Sequence, residues 1–108
     1  MIRISVRGNT IVADGHAGYA EEGRDIVCAG VSALCCTLGQ QLLEFEQLGL
    51  LEEEPVVILK PGKIRLSCQP KRKARVRTEC LFRAMVNGLE MLAESYPDYI
   101  VMTAAKSR

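Results

Sequence analysis

The chain's only histidine, His16, stands a short, glycine-containing stretch ahead of a cysteine, Cys28. Together these residue types can perform nucleophilic catalysis by a thiolate. A thiol of ordinary pKa, about 8.5, is mostly protonated at neutral pH and attacks poorly. Two features favour the thiolate: the positive end of a helix and a nearby imidazole. Asp25 has the type and position of a helix N-cap, whose carboxylate accepts a backbone N–H two or three residues on. That places Cys28 in the first turn of the helix, and the loop before it is long enough to fold His16 back over the helix start. Backbone N–H groups left free there would serve an oxyanion. Asp25, Cys28 and Ser32 fall on one helix face. Asp25 either orients the imidazole or only caps the helix, and Ser32 either donates into the site or only packs.

The residue types leave a blander reading open, with a structural Cys28 and a surface His16. Cys80 is a rival nucleophile, early in a second predicted helix, with only the same His16 to serve it. Zinc is poorly provided for, because there is one histidine and no CxxC pair, so no metal and no cofactor are expected. Cys35, Cys36 and Cys68 read as small, buried apolar residues. Five cysteines, without paired spacing or an apolar leader, read as reduced thiols, which predicts a cytoplasmic protein. No apolar run approaches the roughly 18 residues that cross a bilayer, so no membrane partner is expected.

The elements that must position this stretch follow from periodicity. Residues 2–7 alternate, with Ile2, Ile4 and Val6 against Arg3, Ser5 and Arg7, the pattern of a half-buried strand. Gly8-Asn9 suits a tight hairpin turn, and Thr10 to Ala13 returns as a second strand, leaving His16 at a sheet rim with pairing on one side only. Gly15, Gly18 and Gly23 punctuate the loop that includes Glu21 and Glu22. From Ile26 to about Gln47 an apolar stripe of Val27, Val31, Leu34, Leu38 and Leu42 predicts one long helix. The small residues Ala29, Gly30, Ala33 and Gly39 allow close packing on it. Pro55 closes an acidic segment, and Val56 to Leu59 and Lys63 to Cys68 read as two further strands. The basic run from Lys71 to Arg77 leads into a second helix, with Cys80, Leu81, Ala84, Met85, Gly88, Leu89 and Leu92 at helical spacing. Tyr99 to Met102 is a last strand, followed by a polar tail expected to fray. At 108 residues, 1–108 should form a single α+β domain in the order β-β-α-β-β-α-β, with two helices packed on a mainly antiparallel sheet. With no Trp and two Phe, its core must be aliphatic.

Gly15-His16-Ala17, Gly23, Asp25-Ile26-Val27-Cys28-Ala29 and Val31-Ser32-Ala33-Leu34 resemble the motif of the ribosomal-processing cysteine protease family called Prp. The segment from Gly88 to Tyr96-Pro97 resembles that family's C-terminal helix end, so the resemblance covers essentially the whole chain. It implies a cytoplasmic, homodimeric cysteine endopeptidase working through a Cys-His dyad. It implies removal of a short N-terminal extension from the large-subunit ribosomal protein numbered twenty-seven, with cleavage after an aromatic residue. Carried over, Cys28 is the nucleophile, His16 the general base and acid, Asp25 and Ser32 the supporting residues. The loop from Ala17 to Arg24 corresponds to the family's mobile loop beside the site. The alternative is a non-catalytic ribosome- or RNA-binding module using the basic run Lys71 to Arg77. Such a run is more often a solvated face, and the formal net charge of +1 does not favour nucleic acid by itself.

Overall fold

In a computed structural model, which describes residues 1–105, the chain runs β1 (Ile2–Arg7), β2 (Thr10–Asp14), α1 (Ile26–Gln47), β3 (Val56–Lys60), β4 (Lys63–Ser67), a 3-10 turn (Arg72–Ala74), α2 (Arg75–Ser95) and β5 (Ile100–Ala105). The five strands form one sheet in the order β3-β4-β2-β1-β5. Three pairings are antiparallel, and β5 joins β1 in parallel. The expected class and element order are those observed, and the sheet is mixed. The final strand continues past Met102 to Ala105, because each of its residues finds a partner along β1. The last three residues of the expected tail lie outside the described residues.

Each helix is a crossover between strands that run parallel to one another, α1 from β2 to β3 and α2 from β4 to β5. Both lie on one face of the sheet and pack on each other, α1 over β3 and β4 and α2 beside β5. The core is the aliphatic layer between. Ile2, Ile4, Ile11 and Leu66 meet Val27, Val31, Leu38 and Leu42 of α1 and Phe82 and Leu89 of α2. The helices approach closely where side chains are missing. A β-carbon at Gly88 would lie 2.9 Å from Leu34 and one at Gly30 3.1 Å from Leu92, so each glycine is the socket for the opposite leucine.

Four expectations are corrected. The strand leading to His16 is paired on both sides, because β4 adds to the free edge of β2 and Asp14 stands opposite both Arg3 and Lys63. Of the expected stripe on α2, Leu81, Met85, Leu89 and Leu92 pack on the core, joined by Thr78 and Phe82, but Cys80 and Ala84 are exposed. Cys35 and Cys68 are buried but Cys36 is exposed, since it lies one step around the helix from the packing stripe. Finally, α1 is long and apolar enough to cross a membrane by length and composition, because no charge interrupts Ile26 to Leu43. In this fold 33% of that stretch is buried, on the stripe of Val27, Val31, Leu38 and Leu42 that packs against the sheet and α2.

Candidate active site

Asp25 organises the site, and its local chemistry explains why. It is the N-cap of α1, with extended backbone (φ −85°, ψ 100°), and its Oδ1 accepts the N–H of Cys28 at 2.9 Å. Its Oδ2 accepts the N–H of Tyr19 at 3.0 Å and of Ala20 at 3.4 Å. One carboxylate therefore ties the helix start to the preceding loop. Of the two roles left open above, the geometry is that of a cap. Partial burial pushes the carboxyl up, but N–H donation from Cys28, Ala20, Tyr19 and Val27 outweighs it and holds the group below the usual carboxylate range. A lowered folded-state pKa means that this support is present above the ordinary Asp range and is lost as pH falls through the folded value. Wild type should therefore melt above Asp25→Asn at neutral pH, with the gap closing as pH drops below about 4. A gap independent of pH, read by thermal unfolding, would show that the charge plays no part.

Cys28 is half-buried in the first turn of α1. Its Sγ accepts the backbone N–H of Ala17 at 3.3 Å. Ala17 is itself 3% exposed, and the carbonyls of His16 and Ala17 accept from the Met1 nitrogen. The residue after the histidine is thus fastened directly to the thiol.

The His16 imidazole lies against the turn between β3 and β4. A β-carbon at Gly62 would sit 2.8 Å from its Nε2 and 3.3 Å from its Cε1. The Gly62 carbonyl also accepts the Gly15 N–H at 3.0 Å, so the turn holds both the backbone before the histidine and its ring. Gly15 sits at φ 97°, where a β-carbon would lie 2.5 Å from the Met1 carbonyl oxygen, so this position admits only glycine. Among the described residues no hydrogen bond joins His16 to Cys28.

The two face a common cleft of about 890 Å³ between α1 and the β3–β4 turn. Asp25, Ser32, Gly15, Gly18 and Gly23 line it as well, so every expected site residue is brought together. Gly18 and Gly23 both have positive φ and open space around them. Ser32 is exposed one turn beyond Cys28. Tyr19, in the loop, packs edge-on against Tyr99 and Tyr96, with centroids 5.1 and 5.6 Å apart. Among the described residues no group of three or more His, Cys, Asp or Glu could hold a metal ion.

Three features departed from the sequence reading or escaped it. Two of the helix-start N–H groups expected for an oxyanion are engaged, that of Cys28 by Asp25 Oδ1 and that of Ala29 by the Asp25 carbonyl. The N–H that the structure shows bonded to the sulfur is that of Ala17. Cys36 lines the cleft two turns beyond Cys28, whereas the rival Cys80 is exposed on α2 and does not line the cleft; the thiols of Cys35 and Cys68, buried as expected, are pushed up to about 11 by burial. Gly62 carried only a turn signal, and its contact with His16 exists because β4 pairs with β2.

Residues 1–101 match the family model described as cysteine protease Prp. The chain belongs to the Prp family. The ribosomal processing cysteine protease Prp of Mycoplasma genitalium is 33% identical over 102 residues, 94% of each chain. That of Mycoplasma pneumoniae is 31% identical over 100 residues, 93% of this chain and 91% of the other. Among solved structures, the fold resembles the S. aureus ribosomal processing protease Prp in complex with a covalently linked product peptide. The TM-score is 0.72 at 24% identity, over 96% of this chain and 97% of that one. The same enzyme with a substrate peptide superposes with a TM-score of 0.64 at 20% identity, over the same shares. In this Prp family member, the motif residues His16, Asp25, Cys28 and Ser32 all line the cleft. The basic run Lys71–Arg77 lies at the start of α2 and none of it lines the cleft.

Proposed function

We propose that the chain is a cysteine endopeptidase in which Cys28 is the nucleophile and His16 the general base and acid. The observation that carries this reading is the convergence at the cleft: the Cys28 thiol in the first turn of α1, the Ala17 N–H upon its sulfur, and the His16 ring across from it. The His16 imidazole, positioned by the Gly62 turn, takes the thiol proton. The thiolate attacks the scissile carbonyl carbon, a C–S bond forms, and the carbonyl electrons move to oxygen. The oxyanion collapses, the C–N bond breaks, and His16 gives its proton to the leaving amine. Water, deprotonated by His16, then adds to the thioester carbonyl, the C–S bond breaks, and the acyl fragment leaves as a carboxylic acid while the thiolate is regenerated. In this reading Asp25 supports the site by fixing the helix start and the loop, and Ser32 supplies a hydroxyl along the substrate's path.

The substrate is the N-terminal extension of the large-subunit ribosomal protein numbered twenty-seven, cut after an aromatic residue. Support comes from the family and from the description of both curated relatives as ribosomal processing proteases. The enzyme is cytoplasmic in this reading, consistent with five free thiols. It is homodimeric, drawing on exposed apolar side chains such as Leu48, Val76 and Met91. Mass spectrometry of the precursor protein incubated with the enzyme should show a single cut, after the aromatic residue of the extension. An intact precursor beside a folded enzyme that cleaves other peptides would reject this substrate.

A further inference from the structure

Both helices cover one face of the sheet, and the other face is open. Strand alternation and register decide what stands on it. Lys60, Lys63, Asp14, Arg3 and Val101 form one row across all five strands, and Ile58, Arg65, Val12, Ser5 and Thr103 the next. Arg7 follows in the third row, opposite Thr10. Five cations, Arg3, Arg7, Lys60, Lys63 and Arg65, therefore share this face with one acid, Asp14. The whole chain carries a formal net charge of only +1, so the positive charge is concentrated here. Arg65 is paired to Asp14 at 2.9 Å, which spends the one acid. Arg3, Arg7, Lys60 and Lys63 are exposed.

We propose that this open sheet face docks the sugar-phosphate backbone of RNA. Charge complementarity selects a polyanion, and the layout selects a regular one. Neighbouring strands stand about 4.8 Å apart and alternate residues about 6.6 Å apart, so the cations form a flat array instead of one pocket. Three of the five are arginines, whose planar fork suits phosphate oxygens, and Ser5, Thr10, Ser67 and Thr103 place hydroxyl donors among them. An acidic protein partner would call for an aromatic anchor at the centre of its interface, and this face has none. The lack of aromatics also excludes base stacking, so binding is to the backbone and indifferent to sequence. Lys60 and Lys63 border the turn that carries Gly62 and also line the cleft, so RNA on this face lies beside the cleft mouth. The link to processing rests on the function proposed above, whereas the binding itself does not.

The test is fluorescence anisotropy of a labelled oligouridylate, titrated with the full chain at several salt concentrations. Four proteins are compared: wild type, Arg3→Gln/Arg7→Gln, Ser5→Glu, and Lys73→Gln/Arg75→Gln in the basic run. Wild type should bind, with affinity falling as salt rises. The double arginine variant should bind about tenfold more weakly or worse and lose roughly 1.4 from the log–log salt slope, about 0.7 per phosphate contact. Ser5→Glu, which keeps both arginines, should weaken binding as well, and the basic-run variant should match wild type within about twofold. Cleavage of a short peptide by the double arginine variant should be unchanged, which separates this surface from the active site. No binding even at about 50 mM salt overturns the proposal. So does wild-type affinity in both face variants, or loss confined to the basic-run variant. A labelled polyglutamate that binds the same face as tightly would overturn it in favour of an acidic protein partner.

Discussion

Replacing Cys28 with alanine should abolish cleavage, lowering the turnover rate by about ten-thousand-fold or more, while leaving the fold in place. The expectation of a large loss comes from the absence of a substitute. Cys36 lies two turns farther along the cleft, Cys35 and Cys68 are buried, and Cys80 is on the other helix. The expectation of an intact fold comes from what the side chain touches. Cys28 is only half-buried, its one hydrogen-bond partner is the Ala17 N–H, and alanine is a good helix former at that position. The Asp25 cap bonds the backbone of Cys28, which the substitution keeps. Peptide turnover and thermal unfolding, measured on the same preparation, check both halves. Cleavage within about tenfold of wild type would move the nucleophile elsewhere.

Gly62→Ala should lower turnover by about a hundredfold with little change in KM. An alanine β-carbon would stand 2.8 Å from His16 Nε2, closer than real contacts allow, so the imidazole has to move. A misplacement near 1 Å in a proton-transferring group costs about that factor. The substitution also puts a side chain at φ 72°, where L-residues are strained by about 1–2 kcal/mol. Gly49 separates the two effects. It has the same φ of 72°, nothing within 4 Å of its would-be β-carbon, and no place in the cleft. Gly49→Ala should lower the melting temperature much as Gly62→Ala does and leave turnover unchanged. Equal turnover in all three proteins would mean that the β3–β4 turn does not position the histidine.

Much of the frame could be read before the structure, for local reasons. The alternation of β1 follows from side chains two residues apart and the bounds of α1 from side chains three to four apart, and Asp25 was recognisable as a cap from its type and place. His16, Cys28, Asp25 and Ser32 stood out both as chemistry and as a family motif. What local pattern could not supply depends on pairing between distant segments. That β4 flanks β2 decides both that the strand before His16 is paired on two sides and that Gly62 meets the imidazole. The exposure of Cys36 depends on which stripe of α1 faces the sheet. Engagement of the helix-start N–H groups by Asp25 was implicit in the cap, because a donor bonded to the cap is not free for an oxyanion. Leu50 and Leu51, within a stretch read only as acidic, are buried because Leu51 bridges to Pro70.

The central claim is that the thiol at the start of α1 attacks substrate, and covalent capture tests it most directly. A peptide ending in an aromatic residue and carrying a chloromethyl ketone would be incubated with the intact protein, followed by digestion and mass mapping of all five cysteines. The account predicts one adduct, on Cys28, even though Cys36 and Cys80 are more exposed. It also predicts no adduct in Cys28→Ala. An adduct on Cys36 or Cys80 at a comparable rate, or labelling that persists in Cys28→Ala, would contradict it.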